Sequence, residues 1–283
     1  MKMYIKIIIS IISIIILTLL YSRFIATKGL NVKEYKVIND KITYEYHGLK
    51  IVHITDLHYG TTVFEKELEN LVNETNNLKP DIVVFTGDLF DSEETYDKDI
   101  LITYLSKIES KIGKYAISGN HDKLIEDFYE VIEKSGFVNL DNKYELIYYN
   151  SNEPIIISGI SSNYEDSSNI ADKTKEFDEY INNLNENDIK PIYSILLIHE
   201  PDFVDNINID NYDLILSGHS HLGQVRLPII GKLYTPYGSL KYYDEYYKIN
   251  NSDLYISGGI GTSWMKFRLF NRPSINLYRI TNK

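Results

Sequence analysis

From Ile7 to Leu20 the chain is apolar except at Ser10, Ser13 and Thr18. A helix that packed on a soluble core would keep a polar face, and this one has none. Carried through Tyr21 and past Arg23 to Ala26, the run approaches the ~20 residues that a spanning helix needs. The pattern therefore predicts an uncleaved membrane anchor over residues 1–28. A signal peptide is the competing reading, with Lys2 and Lys6 as its basic start. Bulky Phe24, two positions before Ala26, spoils a small-x-small cleavage site. A buried core helix ranks third. The short basic N-terminus is expected inside, which makes the chain a single-pass protein of the cell membrane with its bulk extracytoplasmic.

Beyond residue 30 the period alternates. Short β-branched or continuous apolar runs predict strands at Lys50–Thr55, Asp81–Thr86, Tyr115–Ser118, Glu145–Tyr149, Pro154–Gly159, Ile192–Ile198, Asp213–Ser217, Leu254–Ser257 and Ser274–Ile280. Helical spacing falls at Phe64–Leu78, Asp97–Glu109, Lys123–Ser135 and Asp172–Leu184. Ser161–Asn169 and Asn182–Asp188 read as surface connections. Strands alternating with helices predict an α/β domain of stacked sheets with helices outside. No Pro/Gly/Ser-rich linker interrupts it, so one catalytic domain is expected over residues 33–283.

Composition narrows the chemistry. The 283 residues contain no cysteine, which removes disulfides, thiolate metal sites and cysteine nucleophiles. Residues 1–25 carry a net +3, leaving 26 basic against 40 acidic residues, or −14, for the remainder. Such a domain disfavours long nucleic acid. Seven histidines and the acidic residues remain as candidate metal and proton-transfer groups.

These candidates cluster where the predicted strands stop. Asp56-Leu57-His58 follows the first strand, Gly87-Asp88-Leu89-Phe90-Asp91 the second and Gly119-Asn120-His121-Asp122 the third. His199 ends a later strand, and Gly218-His219-Ser220-His221 follows the next. Ligands of open α/β sheets gather outside the carboxyl ends of strands, so the five loops are expected to converge. Asp-x-His and His-x-His would place two donors on one side of an extended segment. Carboxylate, amide oxygen and neutral imidazole together suit manganese, iron or zinc. Taken singly, each piece is an ordinary turn; five in order are not. His47 and His53 lie in strand-like runs and are read as structural.

The ordered set D-x-H, G-D-x-x-D, G-N-H-D, H, G-H-x-H resembles the calcineurin-like metallophosphoesterase family. Gly218–Pro228 and Gly258-Gly259-Ile260-Gly261 resemble its bacterial members that carry an N-terminal membrane segment or export signal. Leu222 departs from the glycine usual at its place, which predicts a differently shaped loop beside His221. Ser274 stands where glutamate is common. The resemblance implies a four-layer α/β/β/α sandwich preceded by one transmembrane helix. It also implies two divalent metal ions (Mn, Fe or Zn): Asp56, His58, Asp88 and His221 for the first, and Asp88, Asn120, His199 and His219 for the second. Paired ions lower the pKa of a bridging water, and the hydroxide so formed attacks phosphorus in line. His121 is the expected proton donor to the leaving oxygen, with Asp122 orienting it and Asp91 supporting the ligands.

The resulting expectation is a dinuclear phosphoesterase that cleaves a phosphodiester or pyrophosphate bond. The anchor favours a lipid-linked or cell-envelope substrate. A tethered phosphodiesterase or phosphatase for soluble nucleotides is the alternative, and a non-catalytic binding scaffold ranks last. Tyr234, Tyr237, Tyr242, Tyr243, Tyr246 and Tyr247 form a cluster that suits either a membrane interface or ordinary packing.

Overall fold

β-branched runs buried on both faces organise the chain into two six-stranded sheets. The computed structural model describes residues 2–91, 96–162, 169–186 and 192–283. In the first sheet the strands are β1 (Asn31–Ile38), β2 (Leu49–Ile54), β3 (Ile82–Phe85), β4 (Gly113–Ala116), β5 (Val138–Asn139) and β14 (Ser274–Thr281), ordered β1-β14-β2-β3-β4-β5. The second holds β6 (Lys143–Ile147), β7 (Ile155–Ile160), β8 (Ser194–Ile198), β9 (Leu214–Ser217), β12 (Tyr246–Ile249) and β13 (Ser252–Ile256), ordered β12-β13-β9-β8-β7-β6. β2, β3, β4 and β5 run parallel, as do β7, β8, β9 and β13; β14 and the edge strands β6 and β12 are antiparallel to their neighbours in that set.

Three apolar layers hold four layers of structure together. Ile51, Val84, Tyr115 and Tyr278 of the first sheet meet Ile157, Ile195, Leu197 and Leu216 of the second. The outer face of the first sheet packs on α2 (Glu65–Asn77), α3 (Lys98–Leu105) and α4 (Asp127–Lys134) through residues such as Leu68, Leu101 and Phe128. α5 (Ile170–Glu186) covers the second sheet through Ile170, Phe177 and Ile181. The result is the α/β/β/α sandwich.

Several details differ from the sequence reading. Asn182–Glu186, read as a connection, continues α5; residues 163–168 and 187–191 lie outside the described residues. β1 and β12 escaped detection because each alternates exposed and half-buried positions at a sheet edge. His47 is exposed and follows a short 3₁₀ turn, so it is not a strand residue. His53 is buried in β2, and its Nε2 lies 2.7 Å from Thr86 Oγ1.

α1 (Lys2–Phe24) stands apart from the sandwich. Its side chains from Met3 to Tyr21 are exposed, and the 22 residues Met3–Phe24 have a mean hydropathy of 2.6. That disposes of the core-helix reading and gives a helix long and apolar enough to cross a membrane. The connection to the domain is short. Ser22, Ala26 and Thr27 are buried, Ser22 O accepts from the Arg268 backbone N–H at 3.0 Å, and Lys28 Nζ reaches Glu67 at 2.7 Å. Arg268 also brings Nη2 within 3.4 Å of His221 Nδ1, which sets the end of α1 near the strand-end loops.

Candidate metal centre

The carboxyl ends of β2, β3 and β4 in one sheet meet those of β8, β9 and β13 in the other, and the chemistry-bearing loops leave from these ends. Among the described residues three groups of donors form there, each with its ligand atoms within 4.8 Å of one another: two fully buried ones, Asp56, His58 and His221, and Asp88, His199 and His219, and a half-exposed one, His58, Asp91 and His121. In the first, His221 Nε2 lies 3.4 Å from Asp56 Oδ1 and 3.2 Å from His58 Nε2. Asp88, a member of the second buried group, also reaches the first. Its Oδ2 is 3.6 Å from His58 Nε2 and 3.3 Å from His199 Nε2. Asn120 lines the cleft at these groups, and its buried Oδ1 makes no hydrogen bond.

The convergence is not produced by extended segments. Asp56, His58, Asp88, His219 and His221 all have left-handed backbone, with φ of 50°, 42°, 58°, 62° and 46°. For residues other than glycine such conformations cost about 1–3 kcal/mol each and persist where surrounding structure enforces them. Each pair thus reaches inward through tight turns, and the period-two argument for Asp-x-His and His-x-His is corrected accordingly. The neighbouring glycines make room. A Cβ on Gly119 would meet Asp88 Oδ1, and one on Gly218 would meet Thr55 Oγ1 and Asp56 Oδ2.

Outer nitrogens of three histidines face acceptors. His199 Nδ1 lies 2.6 Å from Thr86 O, His219 Nε2 2.7 Å from Tyr237 O, and His58 Nδ1 3.3 Å from Asp91 Oδ1. An acceptor on one ring nitrogen fixes the tautomer that offers a lone pair on the other, the arrangement that metal-binding histidines adopt. With the orphaned Asn120 oxygen and the carboxylates of Asp56 and Asp88, the donor set fits divalent cations.

Electrostatics fit too. Burial works to raise Asp88, yet His199 and His121 beside it hold its carboxyl well below the usual range. Burial also works against protonated His199, but the facing Asp88 carboxylate pushes its pKa well above the ordinary value. Burial raises Asp56, with the Asp88 charge adding to it. Burial pushes His219 down to about 3. Packed carboxylates thus draw protons onto some ring nitrogens, the role a bound cation takes over.

His121 is half-buried at the cleft, its ring edge-on to His58 with centroids 5.0 Å apart. Its Nδ1 lies 3.1 Å from the Asp91 carbonyl. The expectation that Asp122 orients it is corrected. The Asp122 carboxylate is buried and accepts from the backbone N–H groups of Asp88 (2.7 Å), Leu89 (2.8 Å), Phe90 (3.3 Å) and Gly119 (2.9 Å). It is a clamp between the loops after β3 and β4. Burial and the Asp88 charge push its carboxyl up to about 7, opposed by those amides.

Two buried charges went unnoticed in the sequence. Glu200 accepts a hydrogen bond from Ser162 Oγ. Arg268 is fully buried, donates to the carbonyls of Gly258 (2.9 Å) and Gly261 (2.6 Å), and brings Nη2 within 3.4 Å of His221 Nδ1. Its only sequence signal is the glycine-rich segment it binds. Leu222 takes φ +49°, a glycine conformation, and buries its side chain to 2% exposure.

A cavity of about 310 Å³ opens over the two donor groups. His58, Asn120, His121, His219 and His221 line it, together with Val225, Leu233, Tyr234, Pro236, Trp264 and Met265. The tyrosine cluster divides here. Tyr234 stands edge-on to Trp264 at the mouth, whereas Tyr242 is buried against Tyr247, and Tyr246 donates to Asp253.

Residues 49–223 match the calcineurin-like phosphoesterase domain, and the chain belongs to that family. It is a metal-dependent phosphoester hydrolase. An uncharacterized metallophosphoesterase, YkuE of Bacillus subtilis, is 27% identical over 92% of this chain and 88% of its own length. The zebrafish (Danio rerio) transmembrane protein with metallophosphoesterase domain is 26% identical over 92% of this chain and 61% of its own. UDP-2,3-diacylglucosamine pyrophosphatase LpxG of Chlamydia muridarum is 25% identical over 82% of this chain and 84% of its own.

Proposed function

We infer that the protein is a dinuclear phosphoesterase anchored by α1, which hydrolyses a phosphodiester or pyrophosphate bond in a lipid-linked substrate. One observation carries the dinuclear reading: the Asp88 carboxylate stands 3.6 Å from His58 and 3.3 Å from His199, within reach of both donor groups. In this reading Asp56, His58, Asp88 and His221 hold one ion, and Asp88, Asn120, His199 and His219 the other. Bound divalent ions supply a water of lowered pKa and positive charge for the phosphoryl oxygens.

The chain's own residues supply the rest. His121 reaches the leaving oxygen from the ring nitrogen opposite the one held by Asp91 O and protonates it. Asp91 keeps His58 in the tautomer that turns Nε2 inward. Asp122 holds the Asp88 loop against the Asn120 loop, which fixes the spacing of the donor groups. The apolar wall of the cavity and the LpxG relative's name support an acylated substrate. The catalytic domain is read as extracytoplasmic and as beginning near residue 33.

The test compares manganese-loaded protein on a lipid-linked pyrophosphate and on nucleotide diphosphates and diesters. The acylated substrate is expected to give the higher kcat/KM. Preference for the nucleotides would move the assignment to a tethered nucleotide phosphodiesterase.

A further inference from the structure

Several strongly exposed apolar side chains lie on and beside the rim of this cleft. β10 (Arg226–Leu227) and β11 (Gly231–Lys232) form a small hairpin. Its turn presents Ile229 at 108% exposure and Ile230 at 70%. Ile229 has φ +72°, where a β-branched residue is strained and a solvent-facing turn would carry glycine or asparagine. Leu233 (56%), Tyr234 (53%) and Trp264 (72%) continue the patch to the cavity. Lys266 is exposed beside Trp264. Contiguous apolar surface of this kind marks an interaction site, and tryptophan, tyrosine and lysine together suit a bilayer interface.

The position of α1 identifies the occupant. The loop that carries Trp264 and Met265 continues to Arg268, whose backbone N–H donates to Ser22 O at the end of α1. Gln224, just before the hairpin, donates from Nε2 to Met265 O, and Leu269 N–H returns to Gln224 O. Hairpin, Trp264 loop and helix end are therefore one hydrogen-bonded unit. Where α1 leaves the membrane, only a few residues separate the bilayer surface from the mouth of the cleft.

We propose that the rim formed by Ile229, Ile230, Leu233, Tyr234 and Trp264 docks on the surface of the same bilayer that α1 spans, so that the cleft opens onto the lipid. This rests on the reading of α1 as an anchor and deepens the proposed lipid-linked substrate. The docked rim lets acyl chains stay in the apolar phase while the phosphoester enters between His121 and the metal-binding groups. It also explains why isoleucine is kept at a strained, fully exposed turn, since its burial comes from lipid rather than from the fold.

Trp264 is the single tryptophan, so its fluorescence reports on the rim directly. Full-length protein reconstituted in phosphatidylcholine vesicles is compared with the same protein in vesicles whose acyl chains are brominated. Bromine is expected to quench Trp264 strongly. Ile229→Ser combined with Ile230→Ser should at least halve that quenching, while hydrolysis of a soluble chromogenic phosphodiester stays unchanged. The same variant should raise KM for a vesicle-borne substrate roughly tenfold, the effect of losing about 1.4 kcal/mol of binding. Absence of quenching overturns the docking, as does equal quenching in the variant. Emission that depends on protein density but not on bromine assigns the rim to a second copy of the chain and overturns it equally. The soluble-substrate assay separates this outcome from failure of the phosphoesterase reading, and resistance of the full chain to carbonate extraction tests the anchor by itself.

Discussion

Asp88 links the two donor groups, with Oδ2 3.6 Å from His58 Nε2 and 3.3 Å from His199 Nε2. Asp88→Asn removes the shared charge with little change in volume. It is expected to lose bound metal, by elemental analysis, together with nearly all phosphodiesterase activity. His121→Ala should keep its metal and turn over about 10²–10⁴-fold more slowly, the range for losing a proton-transfer group. Wild-type metal content and rate in Asp88→Asn would sink the dinuclear assignment. His53 offers a separate residue-scale test. Burial holds its pKa at about 3, against an ordinary 6.5. The unfolded chain therefore takes up a proton below pH 6.5 that the folded chain refuses until near pH 3. Stability from this group is complete above 6.5 and falls by about 1.4 kcal/mol per pH unit below it. Melting curves of wild type and His53→Gln should converge as pH drops from 7 to 4; a constant gap would refute the assignment.

At the scale of elements, the strands merely end in the right places, and the turns after them do the aiming. Those turns are held by contacts far apart in sequence: Asp122 to the amides of Asp88, Leu89, Phe90 and Gly119, and the His219 amide to Asp56 at 3.1 Å. Leu222 shows how such a turn can be kept without glycine. Its left-handed backbone costs about 1–2 kcal/mol, whereas removing a buried leucine side chain costs about 2–5 kcal/mol. Packing wins, so Leu222→Gly is expected to destabilise by about 2 kcal/mol and lower Tm by roughly 4–8 °C. A Tm at or above that of wild type would show that the strain dominates.

At the scale of the molecule, the two sheets bring together loops that the chain separates by more than 160 residues, such as those of His58 and His221. The same packing sets the cleft beside the end of α1. Much of this was legible beforehand. Strongly apolar central strands announced themselves because both of their faces are buried, whereas edge strands β1 and β12, half in water, did not. Metal-type residues following the strands included the donors that the fold brings within 4.8 Å of one another. Asp122 was misassigned because sequence adjacency to His121 says nothing about where a carboxylate at a turn will point. Arg268 left only the faint signal of its glycine-rich partner segment, since its partners other than His221 are backbone carbonyls and carry no residue identity.

The sequence by itself determined the central strands, the main helices, the apolar α1 and the kinds of donor available, because hydrophobic period and side-chain chemistry are local properties. Only the tertiary structure decided that Asp88 reaches both donor groups, that Asp122 clamps loops, and that the apolar rim adjoins the end of α1. Those facts depend on how two sheets stack and how buried amides find acceptors. Such pairings are set by the packing of the whole chain, which no short stretch of it encodes.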